Sequence, residues 1–299
     1  DSPIELSDYE LREWTLESNG RSYTIALAVH HDGTDADLDA YAEMARKVTE
    51  EQLAVFGELP DFETGSYIFI ACYLPWVAGD GMEHRNSTIL TSTRPLSTGA
   101  VANLGTLSHE FFHAWHTERL RARTLEPFDF ERANMTEALW IGEGFTSYYD
   151  QLTIHRAGVT DLDSYAARIG GMINTVVNSP GRRFFNPMEM SMQAPFVDAA
   201  TAVDPTNRAN TFISYYTWGA MIGLGLDLTL RTRYDLTLDD FMRALWVAHG
   251  RTEIPYTMDD VRRTLAQVPG DATFADDFFR RYVEGSGVVD YEALLARAG

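Results

Sequence analysis

The chain has 299 residues, which is enough for one enzyme domain built in two lobes. Its 24 Lys and Arg residues stand against 44 Asp and Glu residues, and the resulting net charge of -20 disfavours binding to nucleic acid or to anionic membrane surfaces. The single cysteine, Cys72, excludes internal disulfides and a cysteine-rich zinc cluster, and no apolar run approaches the roughly 18 residues that cross a bilayer.

Four strands and one helix are predicted in the first third of the chain. Alternating or continuous apolar residues predict strands at 11–16, 23–29, 67–74 and 87–91. Apolar residues at helical spacing predict a helix over 40–56, which Gly57 closes. We therefore expect a strand-rich lobe over residues 1–100, with its strands in an antiparallel sheet.

The rest of the chain has an almost wholly helical pattern. Thr237 and Thr257 each precede acidic residues and predict helix N-caps. Residues 204–207 place a proline among polar residues and predict a loop. Strands followed by helices indicate an α+β fold, with a helical lobe over residues 101–299.

A zinc-binding motif opens the helical lobe. His109, Glu110 and His113 form a His-Glu-x-x-His pattern within an apolar stretch that is predicted to be helical. Residues four apart lie on one face of a helix, so both imidazoles can reach the same tetrahedral zinc ion. Glu110 directly follows the first histidine, which makes its carboxylate a candidate general base beside the metal.

Two nearby residues do not complete the metal site. His116 lies on the same helical face as His109, but two turns separate them by about 10 Å, too far to share one ion. The metzincin pattern needs Gly at position 116 and His at position 119, whereas this chain has His116 and Arg119. That class of metallopeptidase is excluded.

A carboxylate on a second helix is the remaining kind of third ligand. A catalytic zinc ion takes three protein ligands and keeps one position open for water. Glu143 lies in an apolar, aromatic stretch, where a glutamate needs a partner such as a metal ion. Glu131 and Glu137 are nearer to the histidines in sequence and are the alternatives. One zinc ion per chain is expected.

These motifs resemble a known family. His-Glu-x-x-His followed by Leu-Trp-x-x-Glu-Gly-x-Thr-x-Tyr-Tyr over residues 139–149 resembles the glycyl aminopeptidase family of gluzincin zinc metallopeptidases. The resemblance implies a thermolysin-like catalytic domain, Glu143 as the third zinc ligand and Glu110 as the base. It also implies an N-terminal β-domain and a C-terminal PDZ domain, both expected to be absent from this chain. Thermolysin relatives often carry an acid four residues after the ligand glutamate, but Ser147 occupies that position here.

A second motif resembles the segment that binds the substrate N-terminus in larger zinc aminopeptidases. They have Gly-x-Met-Glu-Asn, and this chain has Asp80-Gly81-Met82-Glu83-His84. The resemblance implies that Glu83 binds the free α-amino group, with Gly81, Met82 and His84 beside it in the substrate site. Asp80 and His84 depart from the motif of the larger enzymes. Without the resemblance, the segment would be read as a hairpin turn with solvated charges.

A third motif supplies a candidate oxyanion stabiliser. Tyr215-Tyr216-Thr217-Trp218-Gly219 resembles the Tyr-x-Lys-Gly motif, and its tyrosine maps onto Tyr216. Trp218 stands where the family often has Lys. Tyr215 is the alternative, and a tyrosine pair read alone is more often part of a core.

The sequence thus predicts a zinc aminopeptidase that removes the N-terminal residue of peptides with a free N-terminus. By resemblance, it favours Gly or Ala and is exported or periplasmic. Its oligomeric state is not predicted. The rival functions are a zinc endopeptidase, a hydrolase of other carbonyl compounds and a catalytically silent peptide-binding module. The intact zinc motif argues against the last of these.

Overall fold

The computed structural model describes residues 3–197 and 206–298, so the loop predicted at 204–207 lies partly outside the described residues. Five strands are described: β1 Glu10–Ser18, β2 Arg21–His31, β3 Ser66–Tyr73, β4 Asp80–His84 and β5 Ser87–Ser92. The described helices are α1 Asp35–Phe56, α2 Leu96–Phe112, α3 Leu139–Arg156, α4 Leu162–Asn178, α5 Pro187–Ser191, α6 Ala194–Val197, α7 Arg208–Thr211, α8 Tyr215–Tyr234, α9 Leu238–Leu245, α10 Met258–Gln267, α11 Ala272–Phe278 and α12 Tyr291–Ala298. The predicted α+β class is confirmed.

The chain divides into two compact units. The first comprises Asp1–Arg119 and Tyr149–Tyr165, and the second comprises Leu120–Tyr148 and Ala166–Gly299. The first therefore holds the sheet, α1, α2, the end of α3 and the first residues of α4, and the second holds the start of α3, most of α4 and α5 to α12. Within the described residues, no helix combines the length and hydrophobicity needed to traverse a bilayer.

The sheet of the first unit is mixed, with the strand order β1-β2-β3-β5-β4. β1 pairs with β2 and β4 pairs with β5 in antiparallel fashion, but β2 pairs with β3 and β3 pairs with β5 in parallel. The predicted antiparallel sheet is therefore wrong for its two central pairs. The physical reason is that the strands of each pair are not joined by a tight hairpin: α1 lies between β2 and β3, and β4 lies between β3 and β5. Such crossovers return the chain in the same direction, which a tight hairpin cannot do.

One face of this sheet forms the core of the first unit. On β2, Ile25, Leu27 and Val29 are fully buried, and on β3 Tyr67 and Phe69 are as well. The alternate residues of both strands point to the other face, because successive side chains of a strand point in opposite directions.

Helix α1 packs over the core with both ends capped. Thr34 is its N-cap and forms a reciprocal capping box with Asp37, while Gly57 closes it with a left-handed backbone at φ 80°. The predicted closing glycine is confirmed. A left-handed backbone strains residues with a side chain, which explains a glycine at this position.

The second unit is built on a close crossing of α3 and α8. A Cβ atom added to Gly144 of α3 would meet backbone atoms of Gly219 of α8, and the two glycines therefore let the helices touch backbone to backbone. Further along, the side chain of Tyr148 donates a hydrogen bond of 2.8 Å to Asp227 of α8. The predicted N-caps Thr237 and Thr257 are confirmed at the starts of α9 and α10.

Candidate metal centre

The two motif histidines lie where α2 ends. His109 is in its last turn, and His113 is the C-cap residue, with helical dihedrals of φ -64° and ψ -18°. The helical spacing is therefore kept across the helix end, and the two ring centroids lie 4.8 Å apart. Both imidazoles can be directed at one ion from this arrangement.

Each histidine has an acceptor for one ring nitrogen. Nδ1 of His109 lies 3.1 Å from Oδ2 of Asp150, and Nδ1 of His113 lies 2.5 Å from the backbone oxygen of His116. Such acceptors fix the ring orientation and tautomer of metal-binding histidines. With Nδ1 donating in both rings, Nε2 is the nitrogen that each histidine has for a metal ion.

Asp150 was missed by the sequence reasoning, which looked for an acid at position 147. It lies on α3 seven residues after Glu143, on the same helical face and about 10 Å along the axis. The available signal was an acid in the Tyr-Tyr-Asp continuation of the glutamate motif. His116, rejected as a ligand, contributes through its backbone oxygen.

A buried polar network places Asp150 against His109. The hydroxyl of Ser108 donates to the backbone oxygen of Asp150 at 3.0 Å. Gln52 of α1 donates from Nε2 to the backbone oxygen of Ser108 at 2.7 Å. Asp150 and Ser108 are buried, and a hydrogen bond left unmade there would cost about 1–3 kcal/mol. The network therefore holds α3 in register with α2.

Of the three expected zinc ligands, His109 and His113 lie together in the first unit, and Glu143 lies on α3 in the second unit. Two imidazoles and a carboxylate are the donor set of many catalytic zinc sites, so these residues fit the metal that the motif requires. Of the alternative ligands, Glu131 is exposed and Glu137 is half-buried. Among the described residues, neither lies in a group of three possible ligands that could hold one metal ion.

Two further carboxylates meet beside this site. Ligand atoms of Glu83, Glu110 and His113 also lie within 4.8 Å of one another. Glu110 is buried at 5% exposure, whereas Glu83 on β4 is half-buried. Two carboxylates this close repel each other, so the site favours a cation between them.

Gly81 provides the space for this approach. A Cβ atom at Gly81 would lie 2.6 Å from Cγ2 of Thr106 and 2.9 Å from Cδ of Glu110, with the carboxylate oxygen Oε1 closer still. A side chain at this position would therefore collide with the candidate base. Gly81 is placed in the predicted substrate segment, and its visible role is to leave room for Glu110.

The other residues of the segment lie on the edge strand β4. Without the family resemblance, this segment was predicted to be a hairpin turn. The structure shows instead a strand that pairs with β5 over five residues. The Met82 side chain is exposed, and its backbone oxygen accepts a hydrogen bond of 2.7 Å from Thr88. His84 is half-buried, with Nδ1 3.4 Å from the backbone oxygen of Met82.

Tyr67 lies in the core within the electrostatic field of the acidic pair. Burial raises the pKa of its hydroxyl well above the usual value, and the negative charges of Glu110, Glu118 and Glu83 raise it further. Tyr67 is therefore neutral at physiological pH. Its hydroxyl has no hydrogen-bond partner among the residues that the structure describes.

The two candidate oxyanion tyrosines open α8. Ser214 caps this helix by accepting from the backbone nitrogen of Tyr216 at 3.3 Å. Tyr215 is 1% exposed and packs edge-on against Phe212, whereas Tyr216 is half-buried. Trp218, one turn further along, is buried as well. Of the two tyrosines, Tyr216 is the one with access to solvent.

Part of the chain matches the model of a known protein family. Residues 102–222 match the family model of the M61 glycyl aminopeptidase, and this stretch contains His109, His113, Glu143 and Tyr216. No curated protein sequence matches the chain.

Solved structures share its fold. An aminopeptidase N family protein from Idiomarina loihiensis superposes with a TM-score of 0.82 and 29% identity, over 96% of this chain and 49% of that one. The M1 zinc metallopeptidase from Deinococcus radiodurans gives a TM-score of 0.60 and 17% identity, over 94% of this chain and 53% of that one. A mutant of the Deinococcus radiodurans enzyme bound to a Tyr-Ser-Ala substrate gives a TM-score of 0.59 and 18% identity, over 94% of this chain and 52% of that one.

The chain thus spans about half the length of the solved structures that it matches. The stretch that carries the metal motif is similar in sequence to the glycyl aminopeptidases, and the described fold is that of gluzincin metallopeptidase domains, so the family resemblance predicted from the sequence is confirmed.

Proposed function

We propose that the chain is the catalytic part of a zinc-dependent aminopeptidase that hydrolyses the N-terminal peptide bond of peptides. The observation that carries the proposal is the position of Glu83, whose carboxylate lies within 4.8 Å of ligand atoms of both Glu110 and His113. A carboxylate so close to the reacting centre pairs with an ammonium group. It therefore favours a substrate whose free N-terminus is one residue from the scissile bond.

His109, His113 and Glu143 would hold the zinc ion. When bound, zinc acts as a Lewis acid on the scissile carbonyl and lowers the pKa of water at its open position. Asp150 keeps His109 in the tautomer that offers Nε2, and the backbone oxygen of His116 does the same for His113.

The remaining steps are assigned to residues of the chain. The carboxylate of Glu110 takes a proton from the attacking water and returns it to the leaving amine. The Tyr216 hydroxyl donates a hydrogen bond to the carbonyl oxygen as negative charge develops there. The half-buried position of Tyr216 supports this role, because Tyr215 is enclosed in the core.

The edge strand β4 supports binding of an extended peptide. Among the strands of the described residues it is the last of the sheet, so one side of its backbone is not paired with any of them. An extended substrate can add to such an edge through backbone hydrogen bonds. The mutant enzyme from Deinococcus radiodurans has a similar fold, and its structure contains a bound tripeptide substrate, Tyr-Ser-Ala. The preference for Gly or Ala rests on the family resemblance alone.

Substrates with free and blocked amines test the proposal. Hydrolysis of Ala-p-nitroanilide is compared with that of N-acetyl-Ala-p-nitroanilide, and Gly- and Leu-p-nitroanilide report the side-chain preference. An aminopeptidase cleaves the free substrate and leaves the acetylated one almost intact. Equal cleavage of both would show an endopeptidase or a less selective hydrolase.

The isosteric variant Glu83→Gln identifies the group that selects the amine. A hydrogen bond to a charged group contributes about 1.5–3 kcal/mol, so kcat/KM for Ala-p-nitroanilide should fall roughly 10- to 150-fold. Zinc content should not change, because Glu83 is not among the proposed ligands. An unchanged kcat/KM would remove Glu83 from substrate recognition.

The variant Glu110→Gln separates catalysis from metal binding. It should keep one zinc ion per chain and lose about 10²- to 10⁴-fold in kcat, because general base catalysis contributes that much. Elemental analysis and Ala-p-nitroanilide turnover measure the two quantities. Undiminished turnover would exclude Glu110 as the base.

A further inference from the structure

A second group of metal-ligating side chains lies in the first unit, away from the His-Glu-x-x-His motif. It consists of Glu5, His30 and Cys72, and one ligand atom from each lies within 4.8 Å of the other two. All three side chains are half-buried. None of them belongs to the proposed catalytic machinery.

Strand register brings two of these residues together. His30 near the end of β2 and Cys72 near the end of β3 are direct partners in the parallel pair. Paired residues of neighbouring strands point to the same face, with side chains about 5 Å apart. They share that face with Ala28 and Ile70, two residues earlier on each strand, which is the face opposite the core.

The third residue comes from the segment that precedes β1. Pro3, Glu5 and Tyr9 of this segment line a groove of about 380 Å³, together with Ala28 and Ile70 of the sheet. Glu5 reaches the two strand residues from this side, and its Oε1 lies 3.7 Å from Nδ1 of His30. The three donors thus converge from three separate parts of the chain.

The donor set has the chemistry of a site for a borderline or soft divalent cation. Thiolate and imidazole together suit Zn²⁺, Co²⁺ and Cd²⁺ better than Mg²⁺ or Ca²⁺, which require oxygen ligands. At zinc bond lengths of about 2.0–2.3 Å, tetrahedral ligand atoms lie roughly 3.3–3.7 Å apart. The 3.7 Å between Glu5 and His30 is therefore already near the required separation.

We propose that Glu5, His30 and Cys72 form a second metal site, which takes one Zn²⁺ or a similar cation and fastens the N-terminal segment to the outer face of the sheet. The proposal is independent of the proposed function, because the two sites share no residue. Burial raises the pKa of the Cys72 thiol and the charge of Glu5 raises it further, so metal binding displaces a proton from sulfur.

Cobalt absorption distinguishes this site from the catalytic one. Co²⁺ is added to the isolated protein, and thiolate-to-cobalt charge-transfer absorption in the near ultraviolet is recorded. Cys72 is the only cysteine of the chain, so this band can come from no other residue. We expect the band to saturate at one Co²⁺ per chain. Absence of the band at millimolar Co²⁺ would overturn the proposal.

Three variants show whether the whole group binds the ion. Cys72→Ser should abolish the band and leave Ala-p-nitroanilide hydrolysis unchanged. His30→Ala and Glu5→Gln should each weaken Co²⁺ binding at least about tenfold, the lower limit seen for changes around metal ligands. If both bind Co²⁺ as tightly as the wild type, a lone thiolate is responsible and the proposed site is wrong.

Two controls complete the experiment. Glu143→Gln alters only the proposed catalytic site and should keep the charge-transfer band, whatever happens to hydrolysis. Circular dichroism of each variant checks that it is folded. Added Zn²⁺ should raise the unfolding temperature of the Glu143→Gln variant more than that of a Glu143→Gln, Cys72→Ser double variant, since only the former retains the second site. Equal shifts would contradict the fastening role.

Discussion

Gly81 offers the sharpest test of how the candidate base is positioned. In the variant Gly81→Ala, the new methyl group would lie 2.9 Å from Cδ of Glu110 and closer to its Oε1. Ordinary van der Waals contact begins near 3.4 Å, so Cδ must move by about 0.5 Å and the carboxylate oxygen by more. The obstructing atoms are the ends of the Glu110 and Thr106 side chains, which can move without unfolding the protein.

The size of the effect follows from that displacement. A misplacement of 1 Å can reduce the rate of a positioned reaction about 10²-fold, so kcat for Ala-p-nitroanilide should fall roughly 10- to 100-fold in Gly81→Ala. Zinc content should stay at one ion per chain, because the three atoms nearest to the new methyl group belong to Glu110 and Thr106, which are not proposed zinc ligands. Steady-state kinetics and elemental analysis provide both measurements.

Gly79→Ala is the matched control, two residues earlier in the chain. The nearest atom to a Cβ at Gly79 is the backbone oxygen of Thr91 at 4.0 Å, so this variant should retain wild-type kcat. If Gly81→Ala also keeps wild-type kcat, the carboxylate of Glu110 does not depend on this gap and the reasoning is refuted. If both variants lose activity equally, the loss comes from the flexibility of the segment.

Three further predictions concern metal affinity and stability. Asp150→Asn should weaken zinc binding by about 10- to 100-fold, measured by competition with a chelating dye, since His109 loses its charged acceptor. Gly219→Ala should lower the free energy of unfolding by about 3 kcal/mol or more, because its methyl group would overlap a backbone oxygen of α3. In the control Gly170→Ala, the methyl group meets nothing within 4 Å, so the free energy of unfolding should rise by about 0.5–1 kcal/mol. Arg119→Met should cost about 3–5 kcal/mol in urea unfolding, because the buried guanidinium donates four hydrogen bonds, three of them to backbone oxygens, and each contributes about 1 kcal/mol.

Local patterns predicted the elements well, because each depends on neighbouring residues. The helix α1 was predicted over 40–56, and it spans Asp35–Phe56. Its closing glycine and the later caps Thr237 and Thr257 were also predicted, since capping is decided within four residues.

Strand pairing was less predictable, because it depends on residues far apart in sequence. The alternation of apolar and polar residues predicts a strand at 23–29, but it does not determine which strand lies beside it. The parallel pairs arise from the crossover through α1 and from β4, an edge strand of five residues. β4 contains Gly81 and two charged residues, a composition that resembles a turn and that locally disfavours a strand.

The residues of the metal site were also only partly predictable from the sequence. His109 and His113 were predictable from spacing within one helix, and Glu143 only through the family resemblance. Asp150 could not be derived, because its approach to His109 depends on the packing of α3 against α2 through Ser108. A helical wheel shows that Glu143 and Asp150 share a face, but it cannot show which histidine that face meets.

The motif glycines explain why these carboxylates are held where they are. Glu110 faces Gly81, whose missing side chain leaves the space that the carboxylate occupies. Glu143 directly precedes Gly144, whose contact with Gly219 brings α3 and α8 together at backbone distance. The glycines of both motifs therefore act through packing, although these motifs are usually explained by their catalytic and metal-binding side chains. It follows that a small gain of volume at either glycine should affect function differently: at Gly81 it displaces one carboxylate, whereas at Gly144 it pushes a whole helix.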